Sequence, residues 1–263
     1  MRAIKKNRKS HLNKKMFFDE GVDVARYDIV KYPQIERICD KQLGFFWRPE
    51  EVDILRDAND FKNLTESEQH IFTSNLKRQI VLDSVQGMCP NLAFLPLVSL
   101  PELETWVETW SFCETIHSRS YTHISRNVYS DPSDVFDNIM NLNPLTECAA
   151  DIGKYYDNLK DITESSKSYG SYEHKKALWL ALNAVNALEG VRFYVSFACS
   201  WAFAELKKME GNAKIIKFIA RDENTHLAST QQIIKLLPQD DKDFKKLSKE
   251  CKDEVIQIFQ DVI

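Results

Sequence analysis

Turn-formers are scarce in this chain. Seven Gly and eight Pro among 263 residues punctuate little, and alternating apolar and polar runs of the strand type are hard to find. That disfavours sheet architectures, and apolar positions recurring near every 3.6 residues point to an all-α class in one large domain. A disulfide framework is lacking too. Cys39, Cys89, Cys113, Cys148, Cys199 and Cys251 are dispersed with no C-x-x-C pair and no signal peptide before them, so they read as reduced thiols of a cytoplasmic protein. Excess positive charge is also missing. A net charge of −4 and a pI near 5.9 supply no general drive toward nucleic acid or a membrane surface. The first fifteen residues carry seven Lys or Arg and no acid, and we expect a basic, mobile terminus over 1–15 with no assigned function, followed by a helical domain over 16–263. Finally, no long run is free of polar groups. Ala177 to Ala204 comes nearest, but Asn183, Asn186, Glu189, Arg192 and Ser196 recur through it, which predicts a helix surrounded by other helices and not by lipid.

What is present is a set of long helical patterns with clear boundaries. A helix is expected over roughly 30–44, then a corner at Phe45-Phe46-Trp47-Arg48-Pro49. Thr65 with Glu68 makes a capping box for a second helix that runs to Gly87. Pro101 opens a third that persists to about Tyr129, before Asp131-Pro132. Another spans Pro144 to about Ser166, with a polar connection at 165–171. From Tyr172 a long helix runs to Glu210, Gly211-Asn212 turns the chain, and the next helix ends near Pro238. Phe244 to Ile263 forms a last amphipathic segment.

Two of these helices carry Glu-x-x-His: Glu114 with His117, and Glu223 with His226. By count alone this is weak, since 39 Asp and Glu among 263 residues make about one such pair expected for six His. Position sharpens it. Leu103, Val107, Trp110, Glu114, His117, Tyr121 and Ile124 recur in steps of four and three, as do Ile216, Ile219, Glu223, His226, Thr230 and Ile233, so both pairs lie on buried stripes. An ionised carboxylate there needs a partner, because desolvation costs several kcal/mol per ion. The preceding helices each contribute one more carboxylate, Asp83 and Glu189, and a helix with one acid followed by a helix with Glu-x-x-His, given twice, is the ligand pattern of ferritin-like di-metal carboxylate bundles.

Four carboxylates bring a charge of −4 and two neutral imidazoles none, so two divalent ions would neutralise the set. Oxygen-rich ligation with one nitrogen per metal suits iron or manganese. An isolated Glu-x-x-His is more often a surface pair, and Lys77 or Arg78 offers Asp83 an ion pair, but six candidates on inward stripes of four helices favour ligation. His11, His70, His123 and His174 lack that support and read as surface or core residues. Tyr121, one turn beyond His117, is placed as a one-electron donor to such a centre, although packing with a bonded hydroxyl is its bland alternative. Phe193, Phe197 and Ile219 would enclose the resulting radical in apolar surroundings, or else serve only as core.

These residues carry a resemblance. Val24-Ala25-Arg26-Tyr27-Asp28, Phe45-Phe46-Trp47-Arg48-Pro49-Glu50-Glu51-Val52, Leu82-Asp83-Ser84-Val85-Gln86-Gly87, Glu114 through Tyr121, Asn186-Ala187-Leu188-Glu189 and Ala220-Arg221-Asp222-Glu223 are similar to the small, radical-generating β subunit of class I ribonucleotide reductase, of the enterobacterial and T-even phage type. The resemblance covers Met16 to about Phe259. It implies a ferritin-like bundle, usually homodimeric, in which Asp83, Glu114 and His117 hold one iron and Glu189, Glu223 and His226 the other. It implies further that the di-iron centre, for which manganese is the alternative, reacts with O2 to form a stable radical on Tyr121. Trp47 and Asp222 match the residues that relay electrons between the metal site and the surface. A large α subunit would use the radical to reduce ribonucleoside diphosphates to deoxyribonucleoside diphosphates.

Family members are typically about a hundred residues longer. The expectation is therefore a chain without the C-terminal region, whose final stretch Glu254 to Phe259 exposes an apolar face unless a complementing fragment covers it. The alternatives are a truncated, non-catalytic homologue and a different di-iron oxidase or ferroxidase.

Overall fold

The structure is a computed structural model that describes residues 6–137, 139–165 and 168–263. Among the described residues there are twelve α-helices and no strand beyond one isolated bridge, Phe17 to Val98. In order they are α1 Pro33–Leu43, α2 Leu55–Lys62, α3 Glu66–Gln86, α4 Cys89–Ala93, α5 Pro101–Val128, α6 Ser133–Phe136, α7 Asn143–Glu164, α8 Tyr172–Ala187, α9 Phe193–Glu205, α10 Glu210–Asp240, α11 Lys242–Glu250 and α12 Lys252–Asp261. The long α3, α5, α8–α9 and α10 form the central bundle, with α1, α2 and α7 packed on its flanks. One contiguous core of buried side chains extends from Met16 to Ile258.

Local chemistry explains several boundaries. Thr65 Oγ1 accepts from the Glu68 backbone N–H at 3.3 Å while the Glu68 carboxylate accepts from the Thr65 N–H at 2.9 Å, the reciprocal cap expected for α3. Pro101 occupies the first turn of α5, where its missing N–H costs nothing. The start of α10 differs from expectation. The chain turns at 206–209, where Lys207 and Met209 have φ of 60° and 54°, and Gly211 already lies in the first helical turn. A Cβ on Gly211 would stand 2.7 Å from Ile54 Cγ2 and 2.9 Å from Asp53 O, so this glycine serves close approach and not the turn. The buried Asp57 carboxylate caps α10 from outside, accepting from Gly211 N at 3.0 Å and Asn212 N at 2.6 Å.

The rod from Tyr172 to Glu205 is continuous but not uniformly α-helical. Leu188–Arg192 is a π-helical segment that joins α8 to α9. Asn183, Asn186, Glu189, Arg192 and Ser196 are all buried within the protein, as expected of a helix enclosed by helices. Among the described residues one stretch, Glu66–Leu97, is long and apolar enough to cross a membrane by length and composition alone, yet it carries the buried polar Gln79, Asp83 and Gln86. The final segment is broken at Cys251 into α11 and α12. The apolar face expected to stand exposed is packed instead: Ile258 is buried and Val255 and Phe259 lie against the core, leaving Ile256 outward.

The basic start of the chain is tied down where it is described. Residues 1–5, like Ser166 and Lys167 of the expected polar connection, lie outside the described residues. Lys9 pairs with Asp19 at 3.0 Å, Lys14 is buried with Nζ on Gly21 O, and Lys15 meets Asp241 at 2.6 Å. Asp240 accepts from Met16 N, Lys31 and the Tyr32 hydroxyl, and Asp241 also receives Lys175 at 2.8 Å. The C-terminal end of α10 thus gathers the segment across the base of the bundle.

Candidate metal centre

Each central helix delivers its expected group to one buried place. Asp83 comes from α3, Glu114 and His117 from α5, Glu189 from the π-helical segment, and Glu223 and His226 from α10. Asp83, Glu114, His117 and Glu223 present donor atoms within 4.8 Å of one another, and so do Glu114, Glu189, Glu223 and His226. All six side chains are fully buried. Glu114 and Glu223 belong to both groups.

Their oxygens divide between the two. His117 Nδ1 faces Glu114 Oε2 at 3.1 Å and Glu223 Oε1 at 3.2 Å, while His226 Nδ1 faces Glu223 Oε2 at 2.8 Å and Glu114 Oε1 at 3.2 Å. Cis donors around an octahedral ion with bonds of about 2.1 Å stand about 3 Å apart, so these edges suit a cation. Several donors also lack any other use. Both oxygens of Asp83 and Oε2 of Glu189 are buried with no satisfied hydrogen bond, and neither Lys77 nor Arg78 pairs with Asp83 among the described residues. Unpartnered buried carboxylate oxygens cost several kcal/mol, and divalent cations answer that cost.

Protons compete for the same groups. Burial, with the Glu114 and Glu223 charges, pushes the Asp83 carboxyl well above the ordinary range, and burial with Glu223 does the same to Glu189. Burial would also raise Glu223, but its hydrogen bond with Glu189 and the His226 charge hold it well down. Burial opposes protonation of the imidazoles, yet the Glu114 charge and bonds to Asp222, Glu114 and Glu223 raise His117, and Glu223 leads the groups that raise His226.

The surroundings orient these donors. Trp110 Nε1 donates to Glu114 Oε1 at 2.9 Å, and Gln86 Nε2 donates to Glu189 Oε1 while its own oxygen accepts from Tyr156 at 2.8 Å. On the far side of His117, Nε2 lies 3.3 Å from Asp222 Oδ2, which accepts from Trp47 Nε1 at 2.7 Å. Arg221 holds the other Asp222 oxygen at 3.2 Å. The structure therefore brings Trp47, Asp222 and His117 into one bonded chain. Tyr121 is buried, its hydroxyl has no satisfied hydrogen bond, and burial followed by the Asp83 charge raises its pKa well above normal. Phe193 and Phe197 stack at 5.9 Å with an 8° interplanar angle, and with Ile219 they are fully buried in the same core as Tyr121.

Sequence reasoning missed Gln42, the pairing of Gln86 with Tyr156, and the π-helical segment. Gln42 follows Ile35 and Cys39 on the buried stripe of α1, so a polar residue on an apolar face was the available signal. The π segment Leu188–Arg192 left no such signal.

A helical bundle with two overlapping carboxylate–imidazole clusters in its core is a ferritin-like di-metal carboxylate protein. Comparison narrows this further: the model of the ribonucleotide reductase small chain matches residues 26–263, and the chain belongs to that family. It is 53% identical to the ribonucleoside-diphosphate reductase subunit beta of Haemophilus influenzae, over 98% of this chain and 73% of the relative. Among solved structures, the ribonucleotide reductase R2 subunit from Clostridium botulinum superimposes with a TM-score of 0.82 at 26% identity, covering 94% of this chain and 74% of that one. The dimanganese(II)-NrdF of Streptococcus sanguinis shares the fold, with a TM-score of 0.70 at 19% identity, over 91% and 80% of the two chains.

Proposed function

We propose that this chain is the radical-generating small subunit of a cytoplasmic ribonucleoside-diphosphate reductase, working as a homodimer with a large subunit that reduces ribonucleoside diphosphates to deoxyribonucleoside diphosphates. The observation that carries the reading is the pair of clusters sharing Glu114 and Glu223, with the buried Tyr121 hydroxyl beside Asp83. Asp83 and His117 would complete one metal position, Glu189 and His226 the other, with the two shared glutamates spanning both. Two redox-active cations bound there, iron or manganese, would supply the electrons and Lewis acidity for reducing O2. The donor set favours these over zinc or calcium, and the tyrosine favours iron by likeness to the family.

Tyr121 would supply one electron to that reduction of O2, its hydroxyl proton passing toward Asp83, the carboxylate whose charge acts most strongly on it. Phe193, Phe197 and Ile219 keep water and reductants from the oxidised ring. Trp47 passes an electron along the Asp222–His117 contacts, with Asp222 holding the indole N–H in place. Arg221 keeps that carboxylate oriented.

Electron paramagnetic resonance tests the assignment. After ferrous iron and air, the chain should show a tyrosyl signal that disappears in Tyr121→Phe while two irons per chain remain bound. An unchanged signal in that variant overturns the radical assignment, and oxidation of iron in large excess of two per chain would point to a ferroxidase. Turnover with the large subunit, with and without a C-terminal fragment taken from the longer relatives, measures what such a segment adds.

A further inference from the structure

His117 and His226 occupy corresponding places on their helices but differ behind the ring. His117 Nε2 meets the Asp222 carboxylate at 3.3 Å, whereas His226 Nε2 meets the Gln42 amide nitrogen at 3.2 Å. The same Gln42 nitrogen stands 3.4 Å from Cys113 Sγ, and Gln42 Oε1 is buried with no partner. With the amide nitrogen turned to Nε2, the orientation matches a neutral ring whose proton is on Nδ1, toward Glu223. A cation at Nδ1 displaces that proton and leaves the single ring proton of a neutral imidazole on Nε2. Two N–H groups would then oppose each other. A half-turn of the amide removes the conflict, because its oxygen and nitrogen are nearly isosteric and exchange places. The oxygen then occupies the position within reach of His226 Nε2 and Cys113 Sγ, both able to donate, and ceases to be an orphan.

We propose that Gln42 is the positioning residue of His226, accepting its Nε2–H on the amide oxygen when a cation sits at Nδ1, with the Cys113 thiol as second donor to that oxygen. The two halves of the centre are then electrically unlike. His117 is backed by an anion that continues to Trp47, and His226 by a neutral amide and a thiol where the bonded chain stops. Electron transfer to the surface is thereby confined to one ring. This inference rests on the assignment of His226 as a ligand made above.

Cobalt(II) titration of the metal-free chain, followed by calorimetry and by proton NMR of the loaded protein in H2O and D2O, tests it. The unaltered chain should bind two cobalt ions and show two slowly exchanging, paramagnetically shifted imidazole N–H protons. Gln42→Leu should weaken one site by about 10–100-fold and speed exchange of one N–H only, as loss of a ligand's outer hydrogen bond does. Gln42→Glu, which restores an acceptor, should recover slow exchange. Gln42→Met, closer in shape, carries the same test if the leucine variant does not fold. Gln42→Leu and Gln42→Met chains that keep both sites and both protected protons would overturn the inference, as would equal weakening of both sites. Failure of the unaltered chain to bind cobalt would instead remove the metal-site reading, and this inference with it.

Discussion

Glu114 and Glu223 are not equivalent to the other clustered side chains, because each offers one oxygen to each imidazole. Removing a shared carboxylate should therefore damage both positions. Elemental analysis after dialysis should find fewer than one tightly bound iron per chain in Glu114→Ala, but about one in Asp83→Ala or Glu189→Ala. Equal losses in all three variants would show that the sharing has no energetic weight. Gly211 makes a different single-residue demand. The 2.7 Å approach of a built Cβ to Ile54, with backbone atoms at 2.9 Å, means that Gly211→Ala must displace α10 from the 53–57 segment. Overpacking of this kind costs typically 1–3 kcal/mol, and a urea midpoint unchanged from the parent would contradict it.

At the level of elements, the π-helical segment inserts extra backbone between α8 and α9 and presents Glu189 to the cluster while Phe193 begins the next buried face. Such segments often mark functional positions in helices. The end of α10 has a separate task. Its Asp240 and Asp241 draw together residues far apart in sequence, and although burial works against ionisation, hydrogen bonds from Lys15 and Lys175 bring Asp241 down to about 2. A carboxyl whose folded pKa is depressed stabilises the fold fully above its unfolded value and loses that contribution as pH falls toward the folded one. Asp241→Asn should accordingly cost about 2 kcal/mol near pH 7, in the range of hydrogen bonds to charged groups, and the difference from the parent should shrink between pH 4 and pH 2. Urea unfolding across that interval gives the sign. A gap that widened on acidification would rule out the ion cluster as its source.

For the whole molecule, metal bound at the proposed centre would be coupled to the fold. The four elements that carry the candidate ligands share one core, so a cation bound by the folded bundle and not by the unfolded chain would stabilise the entire domain. At a free concentration a hundred times the dissociation constant, each site adds about 2.7 kcal/mol. Stripping iron with a chelator should lower the calorimetric melting temperature, and restoring ferrous iron without oxygen should recover it. An identical melting temperature with and without metal would mean that the bundle holds its shape independently of the ions. The final helix belongs to this same core, since α12 rests on α8 and buries Ile258.

The sequence alone determined the class, the main helices and the six acidic and imidazole side chains that the fold brings together, because a 3.6-residue period and i, i+3 spacing are local properties that survive in one dimension. The Thr65 cap of α3 and the Pro101 start of α5 were legible for the same reason, as sequence neighbours satisfy them. The misread turn before α10 was not. Its glycine answers to Ile54, more than 150 residues away in the chain, and its cap is Asp57. Only the tertiary structure decided that Glu114 and Glu223 face both imidazoles, that the helix at Glu189 widens into a π segment, and that Gln42 stands behind His226. Local spacing fixes which face of a helix a side chain lies on. What that side chain meets depends on how the helices cross, and that follows from packing the whole core at once.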